Sequence, residues 1–130
     1  MTKLTQIDAL ALAKTFKAGA LAVGQFQIDH WDTLSKSQRQ ALADSEFALL
    51  DHSQNLITSA VGLRLDEVQT SLAAIQRATA LANQALQRIA DVKKVLVIAT
   101  VLISLGAVIA TGNPSGIPTV VSSLLALVKD

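Results

Sequence analysis

From residue 95 to residue 128 the chain runs for 34 residues without an Asp, Glu, Lys, Arg or His. Lys93 and Lys94 stand before the run, and Lys129 and Asp130 follow it. Near its middle lies a polar break, Thr111-Gly112-Asn113-Pro114-Ser115-Gly116-Ile117-Pro118, so the run reads as two apolar segments joined by a turn. Segments this apolar must be covered by protein interior or by lipid. A chain of 130 residues has room for a single domain with a modest core. How the run is covered therefore constrains the whole fold.

The remaining apolar content is Ala, Leu, Val and Ile, with Phe16, Phe26, Phe47 and Trp31 the only aromatics, which favours helix over a β-sandwich. Pro114 is the first proline, so nothing upstream forces a break in long helices. The periodicity predicts one all-α domain over 1–130, a helical bundle in which a long amphipathic heptad helix runs into a C-terminal hydrophobic helical hairpin. Helix 1 is expected over 5–24: Ala9, Leu12, Phe16, Ala20 and Val23 recur at steps of three and four, and Gly24 with the polar stretch 25–32 ends it. Helix 2 is expected over 33–62. Ser35 and Gln38 fit a capping box, Leu42, Leu49 and Leu56 recur at sevens, and Phe47, Leu50, Ile57 and Val61 widen the apolar face up to a break at Gly62.

Helix 3 is the most regular and is expected over 63–111. Val61, Leu65, Val68, Leu72, Ile75, Thr79, Ala82, Leu86, Ile89, Lys93 and Leu96 alternate steps of four and three, a seam that keeps one side toward a partner helix. Gln69, Gln76, Arg77, Asn83, Gln84 and Arg88 fall on the other faces. The partner of the seam is the second segment, the first segment or another copy. The seam leads straight into residues 95–110, apolar on all sides. Helix 4 is expected over 117–129, with Pro118 suited to its first turn.

Length limits what the tail can do in a membrane. Sixteen residues, 95–110, reach about 24 Å at about 1.5 Å per residue, against a hydrocarbon core of about 30 Å. The twelve residues 117–128 reach only about 18 Å. A simple two-span hairpin is short on one side; a tilted, re-entrant or triggered hairpin fits better. The insertion candidates are Val95, Val97, Ile98, Val101, Leu102, Ile103, Leu105, Val108, Ile109, Ile117, Val120, Val121, Leu124 and Leu125, with Lys93, Lys94 and Lys129 placed to meet headgroups at the open end. The competing readings are a soluble bundle with the hairpin buried at its centre or in an oligomer interface, and a constitutive single-span anchor.

A helical bundle carrying an uncharged hairpin resembles the helical pore-forming toxins, including the colicin pore domains and the long-helix cytolysins. The resemblance rests on Lys93-Lys94, the run 95–110, the turn Gly112-Asn113-Pro114-Ser115-Gly116, and residues 117–128, about a third of the chain. It is architectural and involves no family-specific motif. It implies a soluble form that hides the hairpin and a later form that delivers it to lipid. The short second arm departs from the colicin pattern, where both arms are long.

The rest of the sequence narrows the chemistry. Without cysteine there is no disulfide, thiolate catalysis or cysteine metal site. A net charge of +1 and the lack of a basic stripe argue against nucleic acid. Asp29-His30-Trp31-Asp32 is the densest polar cluster, but with His52 the only other histidine it lacks a converging ligand set. It reads as an interhelical loop in which Trp31 covers the bundle end or sits at a membrane interface. Asp44, Glu46, Asp66 and Glu67 read as exposed helix decoration rather than a cleft pair. Gly106 and Ala110 have a small-xxx-small spacing that permits close helix packing in lipid. Asp8, Lys14 and Lys17 interrupt what would be the apolar core of a signal peptide, so none is expected. The expectation is a non-enzyme with no catalytic residues, metal, cofactor or small-molecule substrate. Its partners are a lipid membrane and, through the seam, itself or another helical protein. Its location is membrane-associated, or soluble and convertible to membrane-bound.

Overall fold

The computed structural model describes residues 6–58, 72–110 and 114–128. Every regular element among them is helical: α1 Gln6–Asp29, α2 Lys36–Thr58, α3 Leu72–Arg88, α4 Val92–Ala110 and α5 Ile117–Val128, with 3-10 turns at Trp31–Thr33 and Pro114–Gly116. The helices close a ring in which α1 packs on α2, α2 on α4, α4 on α5, α5 on α3, and α3 back on α1. The protein is an all-α bundle, and its two most apolar helices form the C-terminal pair.

Helix α1 buries the line Ala9, Leu12, Phe16, Ala20 and Val23. It does not stop at Gly24 but continues to Asp29. The added length buries Phe26, which is 5% exposed and stacks on the His30 ring at 4.1 Å between centroids. Gln25 Nε2 donates to Asp29 Oδ1 at 2.8 Å, a bond across one turn that the polar stretch uses to extend the helix.

The expected start of α2 at residue 33 gives way to the 3-10 turn, and the helix begins at Lys36 behind its capping box. The Gln38 backbone N–H donates to Ser35 Oγ at 3.1 Å, and the Ser35 N–H donates to Gln38 Oε1 at 2.9 Å. Leu42, Leu49 and Leu56 are buried. Phe47 and Leu50 do not widen that face: they point outward at 73% and 39% exposure. Ser45 and Ser53 take the inner positions, and Ser53 Oγ donates to the Ala13 carbonyl of α1 at 2.7 Å. A small hydroxyl that bonds a facing carbonyl lets the two helices approach closely and leaves no buried donor orphaned.

The continuous helix over 63–111 is corrected by a break at 89–91, between α3 and α4. Asp91 causes it. Its Oδ1 accepts the Lys93 backbone N–H at 3.0 Å, and its carbonyl accepts the Val95 N–H at 3.1 Å, so Asp91 caps a new helix. The seam residues Ile75, Thr79, Ala82 and Leu86 are buried, but so are Ala78, Asn83 and Ala85. The face is broader than a coiled-coil seam because α3 meets two neighbours, α1 and α5. Asn83, expected on a polar face, is turned inward, and its Nδ2 donates to the Thr15 carbonyl at 2.9 Å. Leu72 and Ile89 flank the core half-buried. Val61, Leu65 and Val68, with Gly62, lie outside the described residues.

Candidate functional site

Helix α4 spans 19 residues, about 28 Å. Its stretch Val92–Ile109 is long and apolar enough to cross a membrane, and 39% of that stretch is buried in the bundle. The buried residues are Val95, Ile98, Ala99, Leu102, Leu105, Gly106 and Ile109, at steps of three and four, so one face is covered. Helix α5 does the same with Ile117, Val121, Leu124 and Val128. A core helix of a soluble protein shows such an inner face; the outer face distinguishes α4.

That outer face carries no charge beyond Lys94, and its exposed positions are Lys93, Val97, Thr100, Ser104 and Ala107. Val97 is 47% exposed, and Val101, Ile103 and Val108 are half-buried at the margins. On α5, Leu125 is 36% exposed and Val120 is half-buried. The fourteen insertion candidates therefore divide. Val95, Ile98, Leu102, Leu105, Ile109, Ile117, Val121 and Leu124 face the core, while Val97, Val101, Ile103, Val108, Val120 and Leu125 lie outward or at the edge. The polar side chains of the α4 run, Thr100 and Ser104, are both exposed and both bond their own helix: Thr100 Oγ1 donates to the Leu96 carbonyl at 2.8 Å and Ser104 Oγ to the Thr100 carbonyl at 3.1 Å. Ser123 repeats this on α5 with the Thr119 carbonyl at 3.0 Å. Helical hydroxyls elsewhere in the bundle behave likewise, as Thr15 does with the Ala11 carbonyl. The consequence differs on α4, where past Lys94 these hydroxyls are the only polar side chains and neither needs water to satisfy its donor.

At the start of α4, Lys93 is exposed and Lys94 half-buried. Lys129 lies outside the described residues. Since α5, twelve residues long, is about 18 Å against the roughly 28 Å of α4, it covers only part of its neighbour.

The seat of α4 on α2 is built around Gly106 and His52. A methyl group at Gly106 would stand 2.8 Å from His52 Cδ2 and 2.9 Å from Cγ, so only glycine allows this approach. Gly106 thus serves α2–α4 contact within the bundle; the side chain of Ala110, its partner in the small-xxx-small spacing, is outside the described set. His52 sits edge-on to Phe16, 6.5 Å between ring centroids, and its Nδ1 is buried without a hydrogen-bond partner. One layer away, Gly19 of α1 lies against Asn83 Oδ1, Leu102 and Leu49, which brings α1, α2, α3 and α4 to one point. Sequence reasoning missed both contacts, because no local signal links residues so far apart in the chain.

The polar cluster at the α1–α2 connection is tied to its own helices and backbone. Arg39 Nε donates to the Trp31 carbonyl at 3.0 Å, and its guanidinium lies 4.1 Å from the centre of the Trp31 ring. Trp31 itself is 47% exposed. Asp29 is engaged by Gln25, and the His30 Nδ1–H donates to the Phe26 carbonyl at 3.1 Å. Among the described residues no three His, Asp or Glu side chains converge as a metal would require. A cleft of about 150 Å³ lies between the C-terminal ends of α1 and α3, lined by Phe26, Leu86 and Ile89 among others. A wider, open groove of about 420 Å³ runs beside Trp31, lined by Gln27, Lys36, Arg39, Gln40 and Ala43. Asp44 and Glu46 lie on α2, exposed and half-buried, while Asp66 and Glu67 fall outside the described residues. The chain matches no protein-family model, no curated protein and no solved structure.

Proposed function

We propose that this is a membrane-interacting helical protein, a pore-former or a component of one, that carries its apolar α4–α5 pair against α1–α3 and delivers it to lipid. One observation carries the reading: past Lys94, α4 has no charged side chain on either face, while the bundle covers only one. A soluble core helix can carry charge on its uncovered face, and a helix bound for hydrocarbon cannot. The lysines at the start of α4 suit an anionic headgroup layer, and the self-bonded hydroxyls remove the polar obstacle to entry. The test is flotation and dye release with anionic liposomes, comparing the intact chain with Thr100→Asp. Thr100 is exposed and central in α4, so the bundle tolerates the change in water. A carboxylate at the bilayer centre costs about 3 kcal/mol, enough to cut insertion by about a hundredfold. Equal dye release by the two proteins would refute insertion of α4.

The second reading is a soluble bundle that serves as an interaction or assembly module, with the apolar pair as its core. What favours it is the inner face, where eight of the fourteen candidates are packed against the rest of the ring. Its signature is a detergent-free species of single size that ignores liposomes across pH.

A further inference from the structure

The largest exposed apolar side chains lie mostly away from the C-terminal pair, on the outer sides of α1 and α2. Ile7, Leu21, Ile28 and Phe47 are 81%, 60%, 69% and 73% exposed. On α1, Ile7, Lys14, Leu21 and Ile28 recur at sevens, all exposed, with Leu10 and Lys17 beside them. This is a second heptad row facing away from the core. On α2 the outer row is Asp44, Phe47, Leu50 and Asp51, also exposed. The α1 row is cationic between its apolar residues and the α2 row is acidic.

The register of the two helices sets these rows side by side. Ser53 bonds the Ala13 carbonyl at 2.7 Å and Gln27 Nε2 bonds the Arg39 carbonyl at 3.3 Å, which fixes an antiparallel pairing. Gly19 against Leu49 agrees with it. In that register Leu21 stands level with Phe47, and Lys17 stands level with Leu50 and Asp51. A two-fold axis parallel to the helices, between α1 and α2, lays the α1 of one copy on the α2 of another without shifting height. Leu21 then meets Phe47, and Lys17 meets Asp51, twice over.

We infer that this outer α1–α2 face is a self-complementary interface, and that its partner is a second copy of this chain. The charges favour a second copy over anionic lipid: Asp44 and Asp51 would be driven against headgroups, whereas on a second copy Asp51 meets Lys17. The footprint suffices. A 24-residue helix is about 36 Å long, and two helices side by side are about 18 Å wide, giving roughly 650 Å² per copy against the roughly 800 Å² of a standard interface. The inference stands apart from the membrane reading, since the dimer forms in water through helices other than α4 and α5.

The test is light scattering coupled to size exclusion on the intact chain, without lipid or detergent, at roughly 100 μM, well above the dissociation constant of a standard-size interface. The wild type is expected to be a dimer. Leu21→Asp should raise the dissociation constant at least about tenfold with helicity by circular dichroism unchanged. Lys17→Glu and Asp51→Lys should each dissociate the dimer, and an equimolar mixture of the two should restore a heterodimer. A monomeric wild type overturns the inference, as does a mixture that fails to reassemble. A wild type that is monomeric in water and binds vesicles less after Leu21→Asp would put lipid on this face and likewise overturn it.

Discussion

The bundle contains two helical pairs built on opposite rules. In α1–α2, polar groups fix position: a capping box starts α2, Ser53 bonds across to α1, and Arg39 ties the connecting turn through the Trp31 carbonyl. In α4–α5, position comes mainly from shape: interleaved aliphatic side chains and a glycine where His52 needs room. A pair held by directed bonds has one arrangement in water and loses those bonds elsewhere. A pair held by packing loses little when lipid replaces protein as its apolar surroundings, because hydrocarbon is as good a neighbour as Leu. The difference separates the part of the molecule positioned by directed bonds from the part positioned mainly by packing.

The comparison breaks first if the inner face of α4 is not packed as tightly as that of α2. Leu102 is 1% exposed and Leu49 fully buried, so Leu102→Ala and Leu49→Ala should each cost about 2–5 kcal/mol in urea unfolding. A loss under about 1 kcal/mol for Leu102→Ala alone would mean that α4 is only loosely held. Next in size is Gly106→Ala. Its methyl would collide with His52 at 2.8 Å, which should cost about 1–3 kcal/mol. The cost should shrink on a His52→Ala background, a coupling that a double-mutant cycle measures. Ser35→Ala removes the cap of α2 and should cost about 1 kcal/mol. The smallest effect sharpens the contrast most: Val97→Ser, at a site 47% exposed, should change unfolding by under about 0.5 kcal/mol while still weakening retention on vesicles.

Where a local rule decides, the sequence was legible. Ser35 and Gln38 mark the start of α2, the line Leu12, Phe16, Ala20 and Val23 marks the inner face of α1, and Pro118 falls in the first turn of α5. The break at Asp91 was hidden by the heptad itself: steps through Leu86, Ile89, Lys93 and Leu96 keep their period whether or not the axis bends. Its signal was Asp91, a capping residue type just before an apolar run. Phe47 and Leu50 were misplaced because periodicity rewards size and overlooks a serine that can bond a facing carbonyl. The absence of charge from α4 past Lys94 was legible; which side the bundle covers was not, since that depends on His52 and Gly106, which meet only in the folded chain.

The cap at Asp91 also has a mechanical consequence. Bending a continuous helix breaks rungs of its hydrogen-bond ladder, and here the rungs at the junction are already replaced by the Asp91 carboxylate. The corner between α3 and α4 is therefore closed like a mitred joint: the chain breaks its helix there without leaving the Lys93 N–H open.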